Sequence, residues 1–173
     1  MKNIILILTL CGLGLFSSNA FAQTSGDPRA LSAGTTGLGF GILANDNPTG
    51  VVTGKFFFTD NLALNMDFAL RIERGEFAQG PGSDWALLIS PSIQYYFHTG
   101  HAVSPFLFGG LTILAFDTFG DSESRISIPL GAGAEYFIYD YFSIGGQMGI
   151  DINLVDKFGL GTASSLLFAN FYF

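Results

Sequence analysis

The sequence predicts an all-β fold, a membrane-spanning eight-stranded antiparallel up-and-down β-barrel. Three observations predict it. Apolar residues recur at every second position over long stretches. No apolar run after residue 22 reaches the ~18 residues of a spanning helix. The chain also ends on SSLLFANFYF, a strand-like segment closing on three aromatics.

The composition sets the frame for these patterns. Mean hydropathy is positive and only 12% of residues are charged, yet the most apolar stretch, Pro105 to Phe116, is short and interrupted by Gly109 and Gly110. A helical membrane protein is excluded on that basis. The net charge of −7 argues against nucleic acid as a partner and against simple docking on anionic lipid.

Residues 1–22 read as a secretory signal peptide. Lys2 precedes an apolar stretch from Ile4 to Phe16, and Ala20-Phe21-Ala22 supplies the small-residue site, so cleavage after Ala22 is expected. The apolar run is short for a membrane anchor. Cys11, the single cysteine, lies inside that run after Leu10, which is too bulky for a lipobox. It leaves with the signal, so the mature chain has neither a disulfide nor thiol chemistry. Residues 23–35 read as a short periplasmic lead-in and 36–173 as the barrel, a single domain.

Turn signals divide the barrel region into strands at 36–44, 51–58, 62–73, 85–97, 104–117, 125–138, 142–154 and 162–173. In the first, Gly37, Gly39 and Gly41 alternate with Leu38 and Phe40, a pattern of close lumenal packing that does not read as a phosphate loop. The third shows the alternation most completely. Leu62, Leu64, Met66, Phe68, Leu70 and Ile72 form one face, against Ala63, Asn65, Asp67, Ala69, Arg71 and Glu73. In the seventh, Phe142, Ile144, Met148, Ile150, Ile152 and Leu154 alternate with Ser143, Gly145, Gln147, Gly149, Asp151 and Asn153, and only Gly146 interrupts the apolar set. Soluble strands average about 5–6 residues, whereas a tilted strand crossing a bilayer needs about 9–11. The small polar face suits a narrow lumen and the apolar face suits lipid. A soluble lipocalin-like barrel would need the reverse.

The connections fall into two classes. Thr59-Asp60-Asn61, His98 to Val103 and Tyr139-Asp140-Tyr141 are short, whereas Ala44–Gly50, Arg74–Asp84, Thr118–Ser124 and Val155–Gly161 are longer and rich in Gly, Asp and Ser. Short periplasmic turns and longer outer loops are the pattern of an outer-membrane barrel. No long β-rich loop extension that would present a strand edge is expected. Aromatics gather at strand ends: Phe58, Tyr95, Phe97, Tyr136, Tyr141 and Phe142 near the short turns, and Trp85, Phe116 and Phe119 near the longer loops. Both groups are expected to form interfacial girdles.

On the last strand Ser165, Leu167, Ala169, Phe171 and Phe173 form the outward set. This ending resembles the C-terminal signal of outer-membrane barrels, read by the barrel-assembly machinery through Leu167, Phe171 and Phe173. VSPFLFGGL and GAGAEYFIYDYFSIGGQMGIDI resemble the Gly-rich strand, short turn and returning strand of the OmpA-like and OmpX-like family of small eight-stranded outer-membrane barrels, over essentially all of 31–173. The resemblance implies localisation in the outer membrane of a Gram-negative bacterium, with lipid as the surrounding partner and a monomeric barrel. The peptidoglycan-binding domain of full-length OmpA-type proteins is not expected.

Inward charges are the candidate site. Lys55 and Glu135, on strands that face each other across the barrel, are expected to form a lumenal ion pair, because an unpartnered buried charge costs several kcal/mol. Asp67, Arg71 and Glu73 share one inner face, with Asp151 at about the height of Arg71. Family members that trim lipid A carry a His, a Ser and an acid near the outer rim. Here His98 and His101 fall in one periplasmic turn, so no enzyme, no metal site and no cofactor are expected. The functional reading is a structural outer-membrane protein with at most a narrow, largely plugged pore. The alternative is an adhesin whose outer loops engage an unidentified surface ligand.

Overall fold

A computed structural model of the chain describes residues 32–44, 49–74, 83–97, 102–118, 121–154, 159–160 and 164–173. The expected signal peptide, most of the expected lead-in, His98, His101 and Phe119 lie outside the described residues. The strands are β1 (Thr36–Leu43), β2 (Thr49–Thr59), β3 (Leu62–Arg74), β4 (Ser83–Tyr96), β5 (Val103–Gly110), β6 (Thr112–Thr118), β7 (Asp121–Tyr139), β8 (Phe142–Asn153), β9 (Gly159–Leu160) and β10 (Ser164–Tyr172). All their pairings are antiparallel. β4 pairs with both β5 and β6, which together make one barrel strand, and β9 is a two-residue strand paired antiparallel with the end of β8, whose remaining length pairs with β10.

Closure comes from β1 against β10, from Gly37↔Tyr172 to Leu43↔Leu166, which gives eight barrel strands. The seam is tied at its end by Thr36 N–H to Phe173 O (3.1 Å) and Phe173 N–H to Thr36 O (2.9 Å). A closed circuit satisfies the backbone internally, which hydrocarbon demands. At the turn between β2 and β3, Thr59 Oγ1 accepts the N–H groups of Asn61 (3.3 Å) and Leu62 (3.1 Å), and Asn61 Nδ2 donates to Tyr96 O (2.8 Å). Thr and Asn here replace ladder partners that the reversing chain has lost.

Three expectations are corrected. The continuous strand expected at 104–117 is divided at Leu111, just after Gly109 and Gly110, where no side chains pack to hold the pleat. Leu111 N–H still reaches Pro91 O at 2.9 Å, so the barrel wall stays intact. The loop expected at Thr118–Ser124 is largely strand, because the β6–β7 ladder continues through Asp117↔Ser122 to Thr118↔Asp121. Cross-strand pairing, with Ser122 Oγ donating to Asp117 Oδ2 at 2.9 Å, overrides the turn-like composition. Strand structure also rises unevenly around the rim. The β2–β3 ladder stops at Val52↔Phe68, but β3–β4 continues to Arg74↔Ser83. β3, β4, β6 and β7 therefore form a taller wall, where no β-rich extension was expected.

The outer surface carries the greasy set. Phe40 (60% exposed), Leu70 (63%), Met148 (67%) and Leu167 (64%) face outward, whereas Ala63, Asn65, Asp67 and Ala69 on β3 are buried. So large an exposed apolar surface is what lipid contact requires. Around the short-turn end the outward rings pair up: Phe56 with Phe58 at 5.2 Å, Tyr95 with Phe97 at 5.5 Å, Tyr139 with Tyr141 at 5.5 Å and Phe142 with Phe171 at 4.8 Å. Phe116 does not join the opposite girdle. It shares the inward alternation of Thr112 and Leu114, and the Arg125 guanidinium lies 5.2 Å from its ring centre.

The bore is less hydrophilic than the alternation on 62–73 and 142–154 implies. Phe57, Tyr96, Phe106, Phe108, Phe137, Phe168 and Tyr172 are buried in one cluster. Small residues on the facing strands make room for these rings. Gly39 shows how tightly the space is used. A Cβ there would lie 2.0 Å from Asn170 Oδ1 and 2.5 Å from Ala169 O, whereas one at Gly54 would meet nothing within 4 Å. Gly39→Ala is therefore expected to lower the folded fraction sharply and Gly54→Ala to leave it unchanged, as read by the heat-dependent gel migration of the barrel in detergent.

Candidate functional site

The inward positions of β2, β4, β7, β8 and β10 converge in the short-turn half of the bore. Lys55 (4% exposed) and Glu135 (0%) meet there, with Nζ 2.8 Å from Oε2. Strand order explains the encounter, since β2 and β7 stand on opposite sides of the circuit. Glu135 Oε2 also accepts from Tyr96 OH at 2.7 Å. Its Oε1 accepts from Asn170 Nδ2 at 3.0 Å and from the hydroxyls of Ser143 and Tyr172. Five donors therefore converge on one carboxylate. Hydrogen bonds to the charged form, together with the opposite charge, offset the loss of water.

Lys55 is held on its other sides by Tyr96 OH, which accepts from Nζ at 2.8 Å, and by ring faces. Its Nζ lies 5.1 Å from the Phe168 ring centre, 5.5 Å from Tyr96 and 5.8 Å from Phe106. These are cation–π distances, and they let an ammonium sit among aromatics. The Tyr96 hydroxyl carries one hydrogen but lies within reach of both Gln94 Oε1 (3.0 Å) and Glu135 Oε2 (2.7 Å). The nearer, charged acceptor takes it. Asn170 Oδ1 is buried without a hydrogen-bond partner. Turning the amide over would aim that oxygen at Glu135, so the pairing of Nδ2 fixes its orientation.

Beside the pair, Thr53, Asn65, Asp67 and Gln94 pack with Gln147 and Leu166 around a gap too small to hold a water-sized sphere. Asn65 Oδ1 accepts from Thr53 Oγ1 and its Nδ2 donates to Asp67 Oδ1, each at 2.9 Å. Toward the loop end, a cavity of ≈ 260 Å³ opens among inward residues of all the longer strands. Asp67, Arg125 and Asp151 line it. The structure therefore brings Lys55 to Glu135, places Asp67 and Asp151 on a shared cavity, and leaves Arg71 outside that lining, on β3 opposite Ala86.

Sequence reasoning did not single out Tyr96, Ser143 or Arg125. Tyr96 lies between the outward rings of Tyr95 and Phe97, so strict alternation places it inward. That signal was available. Arg125 sat at an expected strand boundary, and only the longer β7 gives it a direction. Leu167, Phe171 (49% exposed) and Phe173 (58%) all face outward at the seam between the first and last barrel strands. Among the described residues no cluster of three or more His, Cys, Asp or Glu side chains could hold a metal ion.

A closed antiparallel barrel with an apolar outer belt, a girdle of rings and a charged, packed interior defines an integral outer-membrane protein. The chain belongs to the outer membrane protein beta-barrel domain family, whose model matches residues 8–171. It thus resides in the outer membrane of a Gram-negative bacterium. No curated protein sequence matches it. Among solved structures it is similar to the N-terminal β-barrel domain of Pseudomonas aeruginosa OprF, at 15% identity and a TM-score of 0.64, covering 84% of this chain and 99% of that one. It is also similar to Ail, the attachment invasion locus protein of Yersinia pestis, in complex with the heparin analogue sucrose octasulfate. There the identity is 17% and the TM-score 0.50, with 80% of this chain and 96% of that chain covered. At such identities the likeness is one of fold.

Proposed function

We propose that this protein is a structural component of the outer membrane whose lumen is closed by the Lys55–Glu135 network and which supports membrane integrity. The observation that carries the reading is the convergence of five donors on Glu135, beside a gap too small to hold a water molecule. An ion crossing the barrel would have to break a buried ion pair and displace packed rings. The reading assigns no catalytic step to the barrel. Reconstituted in planar bilayers, the protein is expected to show rare, small conductance events. Large, persistent channels would contradict the closed lumen.

A second reading is favoured by the taller wall of β3, β4, β6 and β7, which lifts the β6–β7 hairpin beyond the ladders to β2 and β8. Such a hairpin could present a surface to a host molecule, making the protein an adhesin. Whole-cell binding with the hairpin shortened separates the two readings, since a purely structural barrel loses no adhesion.

A further inference from the structure

The lipid-facing wall is indented over β5, β7 and β8. Pro105, Ala134 and Gly146 stand side by side there, Pro105↔Ala134 and Ala134↔Gly146, and none carries a long side chain. The next outward row toward the short turns, Val103↔Tyr136↔Ile144, is large, with exposures of 52%, 47% and 43%. Leu167, opposite Gly146, closes a third side. The result is an apolar notch of ≈ 430 Å³ whose lining includes Val103, Ala134, Tyr136, Ile144 and Leu167.

A second feature lies on the same β7–β8 hairpin. At its turn the Tyr139 and Tyr141 rings stack at 5.5 Å and 7° from parallel, both more than half exposed, and exposed Asp140 lies between them in the chain. Among the described residues no cation is paired with Asp140. Asp60, on the neighbouring short turn between β2 and β3, accepts the Ala33 N–H at 3.1 Å, and Lys55 is buried against Glu135. This end of the wall is therefore acidic and aromatic, a surface that repels an anionic headgroup and receives an ammonium. Ala134 lies six residues from Asp140, ~20 Å along the strand at ~3.3 Å per residue. A strand tilt of ~35–45° makes that a depth of ~15 Å, half the ~30 Å hydrocarbon core. A chain descending from a headgroup at the turn reaches the notch within its own leaflet.

We propose that this face of the β7–β8 hairpin holds one phospholipid with a primary-ammonium headgroup, the chemistry of phosphatidylethanolamine. Its ammonium lies against Asp140 and the Tyr139–Tyr141 rings, and one acyl chain fills the notch. The outer-membrane setting makes lipid the occupant, since the notch opens on the belt that hydrocarbon covers. The charge at the turn selects among lipids. A primary ammonium donates hydrogen bonds to a carboxylate, a quaternary ammonium has no N–H to donate, and a glycerol headgroup leaves its phosphate charge uncompensated. The site is independent of whether the lumen conducts, because the notch and the turn lie outside the bore.

The test is native mass spectrometry of the intact barrel after reconstitution in vesicles of equal parts phosphatidylethanolamine, phosphatidylcholine and phosphatidylglycerol with identical chains. One phosphatidylethanolamine per monomer is expected to be retained, exceeding either other lipid by about threefold to tenfold. Asp140→Asn is expected to abolish that preference while a lipid stays bound. Ala134→Phe is expected to remove the bound lipid, with heat-dependent gel migration still reporting a folded barrel. If the ring impairs assembly, Ala134→Leu carries the same expectation. No retained lipid, equal retention of the three lipids, or retention unchanged in the folded variants would overturn the proposal. So would a lipid-free dimer, which would assign the notch to a second copy of the chain.

Discussion

Glu135→Ala is expected to be the most damaging single truncation in the bore, costing ~3–5 kcal/mol of folding stability. The substitution removes the acceptor for Tyr96, Ser143, Asn170, Tyr172 and Lys55 together, and it leaves a buried ammonium facing ring faces and one hydroxyl. Lys55→Ala is expected to cost less, since the carboxylate keeps four neutral donors. Replacing both partners by residues of similar shape, Lys55→Met with Glu135→Gln, is expected to recover most of the loss, because the penalty lies in the uncompensated charge. Urea unfolding from lipid vesicles, followed through the protein's single tryptophan, Trp85, reads all three variants. Equal costs for the two single truncations, or a double variant as unstable as Glu135→Ala, would show that the network is not organised around the carboxylate.

The second large effect lies on the opposite face of the wall. Met148→Arg is expected to cost ~2–4 kcal/mol and to block assembly, because Met148 is 67% exposed near the middle of β8, where lipid offers a guanidinium no partner. Its neighbour Gln147 points inward, to the cavity and to Gln94, whose Nε2 donates to Gln147 Oε1 at 3.4 Å. Gln147→Ala is expected to assemble normally. Adjacent residues thus carry opposite sensitivities, a contrast that follows from the pleat alone. Comparable outer-membrane yields of Met148→Arg and Gln147→Ala would contradict it.

Much of this architecture is legible in the chain because a membrane barrel imposes one rule on every strand. The separation on Leu62–Glu73 and Phe142–Leu154 reports the two solvents of the wall directly, and the Lys55–Glu135 encounter follows from counting strands around a circle. Two classes of feature escape that rule. The first is what fills the bore. Phe57 and Phe106 look like any strand aromatics in the sequence, and only the facing glycine, Gly133 for Phe106, reveals that such a ring has inward space to occupy, whereas Phe168 is placed inward by the alternation of the last strand. The second is where strands stop at the outer rim. Ser122, Glu123 and Ser124 have loop-like composition, and their strand state depends on a partner, the β6 segment, that continues the ladder past the end of the β7–β8 pairing. Local propensity contains no information about such a neighbour. Arg125 was hidden for the same reason, because its inward direction depends on the length of β7.

The central claim is the orientation of the alternation: even-numbered residues of β8 face lipid and odd-numbered residues face a packed bore. Single nitroxide labels placed in turn from Ser143 to Asn153, with the protein in phospholipid bilayers, measure this directly through collision with oxygen. High oxygen accessibility at 144, 148 and 150, with low accessibility at 143, 147 and 151, is the predicted pattern. The inverse pattern, or a flat profile along the strand, would contradict the account.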